Sequence, residues 1–412
     1  MKPRFAVAHR PFTQAARLFV LCSLLWISGC AGKTGPAGNT FFPPPPNLPR
    51  LQYLMGIANS TDVEGKDSSF SLFGGLTEQR EKIRHIVKPY GITEAGGKLY
   101  VSDVGTAQIV VIDLPGKKFE LLKGAAGPGK LTTPANVAVD KDGFIYVADA
   151  GRREVVVFTP EGDFLKAIGG DRDMKPVDVV VSGDRAFVLD IKSSDIKVFN
   201  VKSGQYLESF GTAGGPFERL AMPINLAMDS KGFLYATNGV SGRVLKFDRD
   251  GNLLLSFGQM GDGFGQFARP KGIAVDPAGL IHVVDGGHQN VQLFSDTGRL
   301  LLFYGDAGKD STASLNLPAG IAYSTANLEY FQKMADSSFK LDGVVFVTNQ
   351  GGKANKVAVY GYGKREGIDY EQEYEKIRKE LEERARKARE KEAQEGKKAG
   401  QAEPKAAEPA AQ

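Results

Sequence analysis

Apolar residues along most of this sequence come in runs of four to six, the length of a short strand. Glycine-rich or polar turn chemistry cuts each run off. Between Phe257 and Gly305 four such runs follow one another, at 272–275, 280–284, 291–294 and 299–304, with Ala278-Gly279 and Thr297-Gly298 at tight reversals. Glycine at a reversal supplies the positive φ that a two-residue hairpin needs. The pattern predicts a four-stranded antiparallel meander. A sheet apolar on both faces cannot bury itself alone and needs copies of itself alongside.

The copies are present. Pro-x-(Gly, Asn or Asp) opens a strand at Pro89, Pro134, Pro176, Pro223, Pro270 and Pro318, which by subtraction lie 45, 42, 47, 47 and 48 residues apart. The second strand of each unit ends on Asp103, Asp149, Asp190, Asn238, Asp285 or Asn349, before a polar loop and a third strand such as 155–158 or 291–294. Six units of four strands predict an all-β fold, a six-bladed β-propeller spanning residues 51–362. Length alone would suggest two or three domains.

At these residues the sequence resembles the NHL-repeat family, whose unit runs proline, x, glycine, strand, aspartate, turn, strand, aspartate, polar loop, strand. The stretch 272–294 is a close match, and the resemblance covers about residues 50 to 362. It implies an NHL/TolB-like ring. It does not imply one activity, because such rings host binders, scaffolds and some enzymes.

Closure of the ring is a separate expectation. The sixth unit offers strands near 320–323, 344–348 and 356–360, and after Gly363 the sequence turns highly charged without a fourth. Leu51 to Met55 echoes the outer strands of other units. It is expected to pair with Lys356 to Tyr360 and leave no open edge. Residues 325–343 interrupt a hairpin and predict a small helical insertion on the face opposite the Pro-x-Gly turns. A short helix is expected between residues 60 and 86.

The first 29 residues resemble a lipoprotein signal peptide. Lys2, Arg4, Arg10 and Arg17 precede an apolar run, Leu18 to Trp26, that is too short to span a bilayer. Ile27-Ser28-Gly29-Cys30 resembles a lipobox, with Cys30 as the lipidated residue. The alternative is an ordinary secretory signal with a chance cysteine. Ala31 after the cysteine favours, by the family's sorting tendency, the outer membrane. Residues 30–50 have the composition of a proline-rich tether, roughly 3 Å per residue where extended.

Removing that leader changes the charge balance. The full sequence has 52 basic and 48 acidic residues, and the leader carries four of the basic ones and no acid. The mature balance is therefore even, which weakens any argument from charge to nucleic acid. Cys22 leaves too, so no internal disulfide is possible. Residues 363–412 read as a charged helix followed by a disordered tail. Tyr370, Tyr374, Ile377 and Leu381 form one narrow stripe, either a short coiled-coil seam or a solvated face.

The loops that enter the first strands and those that join second to third strands share one face of a propeller. That face is expected to gather Tyr90, Asn136, Asp178, Asn225 and Lys271 with Arg152, Arg153, Lys192, Arg243, His288, Gln289 and Lys353. In NHL-like domains it is the usual binding surface, so the resemblance makes it the candidate site. Variation there also arises simply because loops tolerate change. The recurring aspartates suit capping of backbone N–H groups. A ring of them could instead hold a channel cation such as calcium, as in lactonase propellers.

Zinc chemistry needs convergent histidines. His9 lies in the leader, His85 precedes the first blade, and His282 and His288 share one blade. No nucleophile elbow, phosphate loop or haem-attachment motif appears. These readings lead to a lipid-anchored extracytoplasmic scaffold in the bacterial envelope, without cofactor or nucleic acid, that recruits envelope proteins. An envelope electron-transfer complex is a setting suggested by resemblance alone. The rival is a cation-dependent hydrolase or lactonase.

Overall fold

The computed structural model describes residues 40–65, 83–305 and 312–400, with backbone only for Leu381 and for 391–400. The signal segment, Cys30 and most of the connection before the first blade lie outside the described residues. In sequence order the first strands are β1 (Phe41–Phe42) and β2 (Leu51–Ile57), followed by the helical turn α1 (Thr61–Glu64).

Five sheets of four strands then follow. They are β3 to β6 (from Pro89–Ala95 to Lys118–Leu121), β7 to β10 (from Pro134–Val139 to Phe164–Ile168) and β11 to β14 (from Pro176–Ser182 to Tyr206–Phe210). The fourth is β15 to β18 (from Pro223–Met228 to Leu253–Phe257) and the fifth β19 to β22 (from Pro270–Val275 to Leu300–Tyr304). The sixth contains β23 (Pro318–Ser324), β24 (Phe339–Asn349) and β25 (Val357–Arg365), to which β2 and β1 are added in the order β23-β24-β25-β2-β1. Every neighbouring pair in the six sheets is antiparallel.

The closure is the one expected. Leu51 pairs with Tyr362, Tyr53 with Tyr360 and Ile57 with Val357, so both ends of the ring share one sheet. The strand runs two residues beyond Met55. The tether reading needs a correction over its last residues: Phe41 and Phe42 form a fifth strand on β2, with Phe41 buried and its ring 5.4 Å from that of Phe339. The apolar gain of placing Phe41 in the core outweighs the extended preference of the neighbouring prolines.

Six apolar clusters hold the ring, one at each blade-to-blade interface. Phe158, Phe199, Phe247 and Phe294 recur at the end of the third strand, each buried against the preceding blade. Alternation along a strand sends neighbouring residues to opposite faces, so each blade feeds two interfaces. The insertion after β23 carries the helix α2 (Leu328–Gln332), at the hairpin end of the sheet, away from the Pro-x-Gly turns. The charged tail forms helix α3 (Tyr370–Gly400). Its first tyrosine is buried, donates its hydroxyl to Pro49 O at 2.8 Å, and accepts from Arg365 N. The first member of the stripe thus docks on the ring rather than starting a seam.

Candidate functional site

The second-strand carboxylates are clamps. Asp149 accepts from the backbone N–H groups of Thr132, Thr133, Gly151 and Arg152, and Asp285 from those of Ala268, Arg269, Gly287 and His288. Each ties the loop entering its blade to the loop between its second and third strands. Asp103 does the same for Val87, Lys88 and Gly105. With their lone pairs filled by N–H donors, these carboxylates fix loop geometry and leave little for a ligand.

The inner strands line an axial channel of about 270 Å³, mostly Val, Ala and Ile, with Asn136, Asp178 and Asn225 among its lining. The third residue of each Pro-x-(Gly, Asn, Asp) turn forms a constriction. In three blades glycine is required by close approach: a Cβ on Gly91 would lie 2.0 Å from Asn136 Oδ1, on Gly272 2.5 Å from Ala319 O, and on Gly320 2.3 Å from Tyr90 O. In the other three blades the side chains bond onward. Asn225 Nδ2 donates to Asp178 Oδ2 at 2.6 Å, Leu226 N donates to the same oxygen at 2.7 Å, and Val179 N donates to Asp178 Oδ1 at 2.8 Å. Asn225 Oδ1 in turn accepts from Ile273 N. Hydroxyls of Ser102, Thr237 and Thr348 donate to Ala135 O, Lys271 O and Tyr90 O of the next blade, the last of these across the closure.

This arrangement does not fit calcium, which takes six to eight oxygen ligands. Both oxygens of Asp178 and the amide oxygens of Asn136 and Asn225 already face N–H donors. Among the described residues no three His, Cys, Asp or Glu side chains gather as a metal site. His282 is buried against the Tyr304 hydroxyl, and His288 sits between Asp285 and Asp262. Calcium or a chelator is therefore expected to move the melting midpoint by less than about 1 °C, since a ligand stabilises only what binds it; a chelator-induced fall would restore the cation reading.

The sequence-predicted site residues divide three ways. Asn136, Asp178 and Asn225 are buried at the constriction and are not on the rim, because they are the third residues of their turns and point a different way from the middle ones. Tyr90 and Lys271, the middle residues, stand at the channel mouth, with Lys271 Nζ 5.2 Å from the centre of the Tyr90 ring. The others lie on the loop face, but several are committed. Arg152 bonds Glu154 and the carbonyls of Pro128 and Lys130, while Arg153 and Lys192 share Asp173. That pairing, led by the bond from Lys192, holds the Asp173 carboxyl below its usual range. Arg243 lies over the Phe217 ring at 4.7 Å. Arg153 and Gln289 take the left-handed conformation that Gly242 takes at the matching turn position, so turn geometry aims them. Lys353 is exposed.

A second set of residues on this face was not read from the sequence. Phe217, Met222, Val240, Met260, Phe264 and Leu317 are all at least 46% exposed, Phe264 reaching 88%. They lie on loops entering or crossing blades 4 to 6. The hairpin loops of the opposite face carry no exposed large apolar side chain among the described residues. Met222 and Leu317 precede prolines yet have φ of 50°, a strained combination. The one sequence signal was Phe264, an aromatic residue between two glycines.

The fold thus belongs to the class of repeat-built six-bladed propellers. A family model described as a beta-propeller repeat, SBBP, matches residues 123–148. Among NHL-repeat-containing relatives, the chain is 31% identical over 132 residues to "Protein brain tumor" of Drosophila melanogaster, covering 30% of this chain and 12% of that one. It is 38% identical over 76 residues to the E3 ubiquitin-protein ligase TRIM71 of Mus musculus, covering 18% and 8%. The chain therefore spans about a tenth of the length of these relatives. A protein of unknown function from Bacteroides thetaiotaomicron superposes with a TM-score of 0.52 at 17% identity, over 76% of this chain and 75% of that one. A gluconolactonase from Xanthomonas campestris gives 0.48 at 17% identity, over 80% and 99%, and a virginiamycin B lyase from Staphylococcus aureus 0.47 at 13%, over 67% and 96%. Likeness at this level shows the fold alone. The chain is an NHL-type six-bladed β-propeller.

Proposed function

We propose that this protein is a non-catalytic interaction propeller, held at the bacterial envelope by a lipid on Cys30, that docks an envelope protein on its Pro-x-Gly face. The observation that supports it best is the concentration of exposed apolar side chains on the loops of that face. Phe217, Met222, Val240, Met260, Phe264 and Leu317 face solvent on that face, while its blade 2 and 3 sector is ionic and internally paired. Contiguous exposed apolar surface rimmed by polar groups marks protein interaction sites. A mixed apolar and arginine surface such as Phe217 with Arg243 is the composition of interface anchors. The donor-filled constriction supports a binding role over cation chemistry. Lipidation at Cys30 with an outer-membrane address completes the reading.

The test is capture from detergent-solubilised envelope by the wild type and by a Val240→Asp, Phe264→Asp variant. Both positions are exposed, so the fold should hold. Loss of two apolar anchors at about 1–2 kcal/mol or more each is expected to weaken capture at least tenfold. The same proteins captured in the same amounts by both would overturn the assignment of the face. Fractionation of a Cys30→Ser variant tests the anchor: it is expected to leave the membrane fraction.

A further inference from the structure

At the axis, on the outer side of the constriction, donors converge without an acceptor. Lys271 rises from blade 5 with its stem over Gly286, where a Cβ would meet Lys271 Cε at 3.3 Å, and its ammonium reaches across blade 6 to the Tyr90 ring of blade 1. Small residues, Ala319 and Ala135, hold the equivalent middle positions of blades 6 and 2 and leave the space open. Arg269 and Lys88 border the same mouth, close enough that both act on the Lys271 ammonium. Burial first, then those two like charges, lower its proton affinity. Among the described residues no carboxylate pairs with Lys88, Arg269 or Lys271, and the Tyr90 hydroxyl has no hydrogen-bond partner. Among the described residues the Lys271 ammonium has the Tyr90 ring as its protein partner and is otherwise partly open to solvent, so it remains available to an anion.

We propose that this mouth is a carboxylate-binding site, in which Lys271, Arg269 and the Tyr90 hydroxyl hold one monovalent carboxylate, with Lys88 at the rim. Burial first and Asp178 second hold the Tyr90 hydroxyl above its usual range, against Arg269, so it stays a protonated donor at neutral pH. Charge-assisted bonds from an ammonium, a guanidinium and a phenol suit a planar carboxylate. The carboxylate could come from a free organic acid or from the C-terminus of a peptide, which present the same group.

The site goes beyond the interaction reading, and none of its four residues is one of the six exposed apolar side chains. Calorimetric titration of the full-length protein would use four probes: an N-acetyl amino acid, a tripeptide with a free C-terminus, the same tripeptide amidated, and inorganic phosphate. The free acids are expected to bind, with the amidated tripeptide weaker by about tenfold or more, the worth of a hydrogen bond to a charged group. Binding of the small acid without the tripeptide assigns a metabolite; tighter binding of the tripeptide than of the small acid assigns a peptide terminus. Lys271→Met is expected to weaken binding at least as much, Tyr90→Phe less, and Lys353→Met not at all. Equal affinity for acid and amide, preference for phosphate, binding unchanged in Lys271→Met, or no heat with any probe would each overturn the proposal. The Val240→Asp, Phe264→Asp variant should keep carboxylate binding while losing its partner, so the two readings fail separately.

Discussion

A truncated protein beginning at residue 60 is expected to lose cooperative unfolding and to aggregate. The deletion removes β1 and β2, and with them Leu51, Tyr53, Leu54 and Ile57, all buried and divided between the two interfaces of blade 6. At about 1.5–3 kcal/mol for each buried side chain, the loss is roughly 6–12 kcal/mol, the size of a whole domain's net stability. It also strips Gln52, whose side chain accepts from Asp336 N, and the Tyr53 ring 5.7 Å from Tyr360. The edge left behind is worse than the loss of contacts. Val357, Ala358, Val359 and Tyr360 are fully buried in the intact ring and would become an uncharged open strand, a template for pairing with other molecules. Thermal and urea melts with size-exclusion chromatography would show it. A synthetic peptide of residues 40–59 is expected to restore part of the transition. An unchanged midpoint would mean that the ring does not depend on this strand.

How much of this could be read in the sequence depended on whether a local signal carried it. Pro-x-Gly openings, glycine reversals and strand-length apolar runs are local, and they located all six blades. The closing strand was legible because Leu51 to Met55 repeats the apolar character of other outer strands. Phe41 and Phe42 were not, since the prolines around them read as linker and only the hydrophobic cluster with Phe339 makes them core. The aspartate clamps followed from position before a polar loop. Composition of the loop face identified its charged residues but not their partners. Arg152, Arg153 and Lys192 look available in sequence and are neutralised in space, Arg152 by Glu154 two residues on and the other two by Asp173, 20 and 19 residues away. Asn136, Asp178 and Asn225 were placed on the rim because the turn motif does not say which of its residues turns inward. The apolar sector was missed because single exposed apolar residues are ordinary; only their concentration on one face of the ring carries meaning.

Replacing Asp178 by alanine is expected to cost about 3–5 kcal/mol, because each buried donor left without an acceptor costs about 1–3 kcal/mol. The substitution leaves Leu226 N, Val179 N and the Asn225 amide as buried donors without an acceptor, at the point where blades 3, 4 and 5 are linked. The pH dependence has a definite sign. Burial raises the Asp178 carboxyl from 3.8 to about 7, and the N–H groups of Leu226 and Val179 and the amide of Asn136 offset this only in part. A carboxyl with its folded value above its unfolded one contributes stability that is complete below about pH 4 and lost as pH rises through about 7. Asp173 has the opposite sign, because its lowered value makes its contribution present above about pH 4 and lost on acidification. Between pH 5 and 8 that exposed carboxylate stays ionised, and subtracting the variant from the wild type removes the groups common to both, histidines included. The difference in stability between wild type and Asp178→Ala, from urea melts across this window, is therefore expected to be larger at pH 5 than at pH 8. A difference that is flat, or that grows toward pH 8, would show that the N–H donors outweigh burial and hold the carboxylate ionised throughout. The constriction would then be a fixed anionic node whose strength does not change near neutral pH.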